Sequence, residues 1–397
     1  MKWQAYNPDW AFNTALRAQA ARWQRQRQLS PAQLAAIEAA YPLGYYRPAW
    51  PLRVGLFIFT WIALSLLGGF SVLTTGGEAP VAIGLIYCVG SFALLEFFLA
   101  ESRFYHAGPD NALLYSGLGS AIGLLYYCFA QYAWPTYYAH LDLGSNFLFL
   151  LLALALLVAA TLRYADALVG AVAFVALLLL AALFGLQSAL GQALLPFLLM
   201  ATAAGTLVLY RGLAQRLAGT ALADYYATCL LTLKVLALAV LYLGGNYLVV
   251  REGNAELHHE FESKQIPFAP VFYALTAGIP VLYIVLGLRR ADRPLLLLGL
   301  LALAFSVFTL RHYHSVLPPE IGAVAAGVLL TVLAGGLLRA LRPARFGLTS
   351  LPDDEPRHFN LENLIQAQTA HAPGAPTTGG FEFGGGQSGG GGATGQF

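Results

Sequence analysis

"LRVGLFIFTWIALSLLGGFSVL", residues 52–73, holds one charged side chain, Arg53, in an otherwise apolar or small-residue run. A helix crossing the hydrocarbon core of a bilayer needs about 20 such residues, and a buried helix of a water-soluble domain rarely has so many. The run therefore reads as a membrane span. Working outward, the pattern repeats at Val81–Ala100, Ala112–Trp134, Phe147–Leu162, Ala167–Leu186, Ala193–Tyr210, Thr228–Val250, Phe268–Leu288, Leu295–Leu310 and Ile321–Leu341. The fourth, sixth and ninth of these are short, and "RYAD" alone separates the fourth from the fifth.

Composition agrees with this reading. Hydrophobic residues make up 58% of the 397 and charged residues 11%, with a mean hydropathy of +0.63. Soluble domains carry roughly 25% charged residues. A chain this poor in charge cannot cover its own apolar surface. The expected fold is an all-α integral membrane protein, a bundle of about ten transmembrane helices occupying residues 51–342.

Cys88, Cys128 and Cys229 fall inside spans and form no CxxC, so neither a disulfide framework nor a zinc ribbon is indicated. The first 50 residues are polar and lack a cleavable signal pattern, which makes the first span an uncleaved signal anchor. Arginine sets the orientation, because loops rich in Lys and Arg stay in the cytoplasm. With the N-terminus inside, all but Arg251, Lys264, Arg311 and the span-embedded Lys234 of the 22 Lys and Arg residues fall on the inner side. Both termini are expected in the cytoplasm of a bacterium, with the spans in its inner membrane. The basic residues follow topology and form no nucleic-acid groove.

Residues 1–50 read as a short cytoplasmic module of amphipathic helices. Phe12, Leu16, Ala20 and Trp23 share one helical face, suited to packing on the second helix or inner loops, or to lying on the inner leaflet with Trp23 at headgroup depth. In "LSPAQLAAIEAAYP", Ser30 is an N-cap, Pro31 the first helical residue and Gln33 the partner in a capping box. Residues 343–397 form a linker and a glycine-rich tail expected to be disordered. Its matches to GxSxG (386–390) and GxGxxG (384–389) lack the flanking strand and helix that give those patterns meaning.

"YPLGYYRPAWPLRVGLFIFT", "GGNYLVVRE" and "RHYHSVLPPE" together resemble an uncharacterised family of multi-spanning Bacteroidetes membrane proteins, over most of the chain. The tail, ending in Phe381, Phe383 and Phe397 among glycines, is similar to those of bacterial TPM-domain membrane proteins, although no TPM domain is present. The resemblance implies the polytopic topology and supplies no catalytic residues.

Apart from Arg53 and Arg339 at span ends, the charged residues inside the spans are Glu96 and Lys234, at matching depths near the inner face. Burying either costs several kcal/mol or more. They are a candidate intramembrane pair; alternatively each snorkels to the interface. The eighth span carries Pro267, Pro270 and Pro280, with a kink expected near Gly278–Pro280. Gly119 and Gly123 have GxxxG spacing, and "GGN" at 244–246 puts small residues in the seventh span, both favouring close packing. On the outer face, His258, His259, Arg311, His312, His314 and Glu320 form a candidate polar cluster, with His140 and Asp142 in an earlier loop. Imidazole and carboxylate together can bind zinc or relay protons. "HEFES" fails HExxH, however, and a helix end with Arg311 near its carbonyls is the better account of "RHYHS".

A non-enzymatic scaffold or accessory protein, meeting a partner through the N-terminal module or the tail, ranks first. A transporter using Glu96, Lys234 and the kinked eighth helix ranks second. An enzyme with an outward His/Glu site ranks last, since no nucleophile–base or metal motif is complete; no cofactor is indicated.

Overall fold

The computed structural model describes residues 3–133, 143–259 and 263–313, with scattered positions between 324 and 339. Two helices precede the bundle, α1 (Pro8–Arg25) and α2 (Pro31–Ala40). Then come α3 (Trp50–Thr75), α4 (Pro80–Glu101), α5 (Pro109–Cys128, extended by a π-helical turn over Phe129–Ala133), α6 (Leu143–Tyr164) and α7 (Ala167–Leu186). The short α8 (Ala189–Ala193) leads into α9 (Leu195–Leu217), and the short α10 (Ala221–Tyr225) into α11 (Ala227–Gly245). The described chain ends with α12 (Tyr247–Leu257), α13 (Ala269–Arg289) and α14 (Arg293–Tyr313). Among the described residues, nine helices are long and apolar enough to cross a membrane, and there is no β-strand.

These nine coincide with the first nine expected spans. Most of the tenth, Ile321–Leu341, lies outside the described residues, as do His140, Asp142, His314, Glu320 and the tail. The seventh span differs. Expected as one run over Thr228–Val250, it stops at Gly245, and Asn246 turns the chain in an extended conformation (φ −82°, ψ 124°) before α12 begins.

α3 buries none of its apolar window, and Phe59, Leu66, Phe70 and Leu73 stand exposed along it. Surface of that kind belongs in contact with lipid. Lipid-bathed helices gain little hydrophobic energy by meeting one another, so close packing falls to small residues. At the α13–α14 hairpin, a Cβ on Gly287 would lie 2.8 Å from the Leu296 nitrogen, and one on Gly299 2.9 Å from that of Ile284. Gly244 and Gly245 likewise abut Met200 and Ile279. The GxxxG pair does not: Gly119 and Gly123 face open space. Glycines at the right spacing do not pack unless their face meets a neighbour.

Pro280 sits inside α13 without ending it. Proline has no N–H, so the carbonyl four residues earlier, that of Thr276, loses its helical donor. The Ser306 hydroxyl on α14 donates to that carbonyl at 2.6 Å. In lipid such repair is obligatory, because no water is available to replace the lost bond.

The N-terminal helices have the expected caps. Ser30 accepts from the Gln33 nitrogen at 3.2 Å, and the Gln33 side chain accepts from the Ser30 nitrogen at 2.8 Å. The buried face of α1, however, is the alanine face, Ala11 and Ala20, while Phe12 and Trp23 remain exposed. Alanine lets the α1 backbone approach the bundle end, where α1 packs against α10 and α2.

Candidate functional site

A buried polar cluster lies where the N-terminal module meets the bundle. The stretch "ESRFYHAGPDNALLY" (101–115) joins α4 to α5 through three positive φ angles, at Arg103 (50°), His106 (49°) and Gly108 (115°). At Gly108 a Cβ would fall 2.4 Å from the Arg53 carbonyl oxygen, so only glycine lets the turn press against α3. The turn folds back so that Asp110 accepts from the backbone nitrogens of Ala107 (2.9 Å) and Gly108 (3.0 Å), while the Tyr6 hydroxyl donates to its other oxygen at 2.8 Å. Asp110 is fully buried. Three donors and the positive end of α5 make that burial tolerable.

A second buried carboxylate stands beside it. Asp166 caps α7, accepting from the Val169 nitrogen at 2.9 Å, and also takes Asn111 Nδ2 at 2.8 Å and the Tyr115 hydroxyl at 3.0 Å. The C-terminal carbonyls of α6 are closed from the module side and from α10. The Ala5 nitrogen and the Tyr225 hydroxyl both donate to the Arg163 carbonyl, and the Tyr226 hydroxyl to that of Leu162. A lone backbone bridge, Tyr46 to Phe104, fastens the segment after α2 to the same turn.

His106 lies between the rings of Tyr6 (4.9 Å) and Tyr105 (5.0 Å). Burial pushes its pKa down, opposed by the Asp110 and Asp166 carboxylates, so the ring is held neutral. Burial, with Asp110 beside it, raises the Tyr6 hydroxyl well above its ordinary value and keeps it a donor. Arg47 stacks over Tyr105 at 5.3 Å. Asp110 and His106 hold the module against the turn, and Asp166 ties the start of α5 to α7. No nucleophile is aligned with a base.

Glu96 and Lys234, the expected intramembrane pair, are not paired with each other. Arg163 binds Glu96 through Nη2 (2.7 Å) and Nε (3.1 Å), and the Tyr164 hydroxyl donates to the same oxygen at 2.7 Å. Lys234 forms an ion pair with Asp292, in the turn before α14. Each charge takes the opposite charge at the nearest helix end, which removes the cost of carrying it alone. Comparison with protein-family models, curated proteins and solved structures finds no match. The site must be read from its own chemistry.

The cluster expected on the outer face is not assembled among the described residues. His258 Nδ1 bonds the Asn254 carbonyl of its own helix at 2.9 Å, His259 follows on the exposed turn, and Arg311 is exposed. His312 packs on Phe308 and Tyr313. Among the described residues, no group of three or more His, Cys, Asp or Glu side chains is placed to hold a metal. Arg251 and Glu252 take part instead: the Tyr313 hydroxyl donates to Glu252 and lowers its pKa, while Arg251 lies over the Tyr313 ring at 4.4 Å.

Below that end lies an uncharged network that sequence reasoning missed. Asn246, fully buried, accepts from the nitrogens of Leu248 and Val249 and donates through Nδ2 to the Tyr242 and Thr309 hydroxyls. Thr276 accepts from the Tyr247 nitrogen at 2.9 Å. The unpaired donors at the start of α12 are thus satisfied by the cap and by α13. Tyr242 reaches Ser306 at 2.8 Å, the residue that repairs the Pro280 gap, so one network serves both interruptions.

Proposed function

We propose that this chain is a multi-pass protein of the bacterial inner membrane that acts as a non-enzymatic scaffold or accessory protein. In this reading both termini are cytoplasmic, Ile321–Leu341 is a tenth span, and the chain is related to the Bacteroidetes family it resembles. One observation carries it: both charges sunk into the spans, Glu96 and Lys234, are neutralised by fixed partners, Arg163 and Asp292, as in a static framework. The module supports it too, being fastened to the bundle through Tyr6 and Ala5 while Trp3, Phe12 and Trp23 remain exposed for a partner.

A transporter is the second reading. It is favoured by the break at Asn246 beside a cavity of about 390 Å³ walled by Pro196, Gly244, Val249, Val250 and Phe272. Discontinuous helices next to cavities are where transporters bind their cargo. The lining would take an apolar molecule.

Two measurements separate the readings. In liposomes loaded with a pH-sensitive dye, the scaffold reading expects no proton flux above protein-free vesicles; flux that disappears in E96Q would overturn it. In native gels of gently solubilised membranes it expects a complex larger than the protein, reduced to the protein alone in a F12S/W23S variant.

A further inference from the structure

A second cavity, of about 250 Å³, opens between α9, α11 and the α13–α14 turn, at the end of the bundle that carries the N-terminal module. Arg211, Lys234 and Arg290 line it, against a single acid, Asp292. Lys234 and Asp292 are largely buried and spend their charge on each other, with Tyr210 stacked 5.7 Å from the ammonium. That leaves the two guanidinium groups. Both residues are exposed, and neither side chain has an ion-pair partner among the described residues. Arg211 stands six residues before the end of α9, and Lys234 seven after the start of α11. At 1.5 Å per residue both lie about 10 Å in from the helix ends, near the level of lipid phosphates and upper acyl chains.

We propose that this cavity binds a phosphodiester anion, the headgroup of an acidic phospholipid in the leaflet on the module side. Guanidinium forks match phosphate oxygens two at a time, which suits paired arginines better than lysines. Basic pockets between membrane helices are suited to acidic headgroups. The Tyr210 hydroxyl and Gln215 amide supply uncharged donors, and Leu207 and Leu238 continue the wall into the apolar layer. The volume admits a headgroup and not a whole lipid, so the acyl chains must leave along the leucine side. The Lys234–Asp292 pair positions the site without itself contributing net charge.

The test compares three full-length proteins in neutral detergent: the parent, R211Q/R290Q, and R25Q/R27Q, which loses the same charge from the end of α1 and the turn after it. Each is titrated with phosphatidylglycerol, phosphatidylcholine and water-soluble glycerophosphoglycerol, and bound ligand is counted by native mass spectrometry. Phosphatidylglycerol is expected to bind the parent and R25Q/R27Q alike, and R211Q/R290Q about tenfold or more weakly, given the strength of hydrogen bonds to charged groups. If the soluble phosphodiester shows the same arginine dependence and the lipid shows none, the phosphate chemistry stands and its source is a solute. Equal binding by all three proteins of both phosphatidylglycerol and the soluble phosphodiester, or equal binding of phosphatidylcholine by the parent, would overturn the proposal. Should R211Q/R290Q fail to fold, R290Q alone, on the exposed cap of α13, carries the comparison.

Discussion

The two ends of the bundle solve the same problem with different chemistry. At the module end, interruptions between helices are held by acidic side chains and ion pairs: Asp110, Asp166, Glu96 with Arg163, and Lys234 with Asp292. Toward the opposite end, the break at Asn246 and the gap at Pro280 are held by an amide and hydroxyls alone. Charges stand where helix ends meet the interface and partners are near. Where the break lies within the span region, only neutral groups are used, since an ionised one there costs more than its bonds return.

That contrast predicts unequal penalties. Asn246→Leu leaves the Leu248 and Val249 nitrogens and two hydroxyls short of partners, with no water to replace them. A loss of about 3 kcal/mol or more is expected in unfolding titrations in mixed micelles. Asp110→Ala orphans a similar number of donors, yet water can enter beside the module. The expected cost is about 2 kcal/mol, read most directly as faster tryptic cleavage at Arg25 and Arg27. Equal losses at the two positions would break the comparison.

Ser306→Ala strands the Thr276 carbonyl and should cost about 1 kcal/mol. Pro280→Ala restores the missing N–H, so in that background Ser306→Ala should cost little. A double-mutant cycle with no coupling would mean that the hydroxyl is not the repair.

The smallest effect is a pH dependence confined to the module end. Asp110, Asp166, Tyr6, Tyr105, Arg47 and the Asn111 amide surround His106, and its folded pKa is depressed. Between that value and the unfolded value of about 6.5, the unfolded chain binds more protons. Stability is therefore complete above about pH 6.5 and is lost as the pH falls through the folded pKa. Melting curves from pH 7.5 to 5 should show this decline in the parent and a flatter profile in His106→Gln.

The nine described spans were legible because run length alone signals a bilayer segment. What escaped was every partnership. Arg163 lies in the short RYAD connection and Asp292 among basic loop residues, and nothing local marks either as the partner of Glu96 or Lys234. Asp110 and Asp166 both lie between spans, where an acid is ordinary. Their burial depends on Tyr6 and Asn111, residues 104 and 55 positions away in the chain, and no local pattern carries that. Asn246 was hidden by the apolar residues around it, although an asparagine after two glycines inside a span is itself a helix-stop and N-cap signal. The histidines expected on the outer face stand out in the sequence because the chain has only 8. Those within the described residues serve local helix ends or remain exposed.

The bond from Tyr6 to Asp110 also imposes an order of events during synthesis. Ala5 and Tyr6 emerge from the ribosome well before Asp110, and Arg163 follows later still. Until α4 through α6 have entered the membrane, the module has no surface to dock on and its aromatic residues stay uncovered. The finished module is therefore a late assembly step made from early-made chain. Its docking is complete only when the chain through α10, against which α1 packs, is in place.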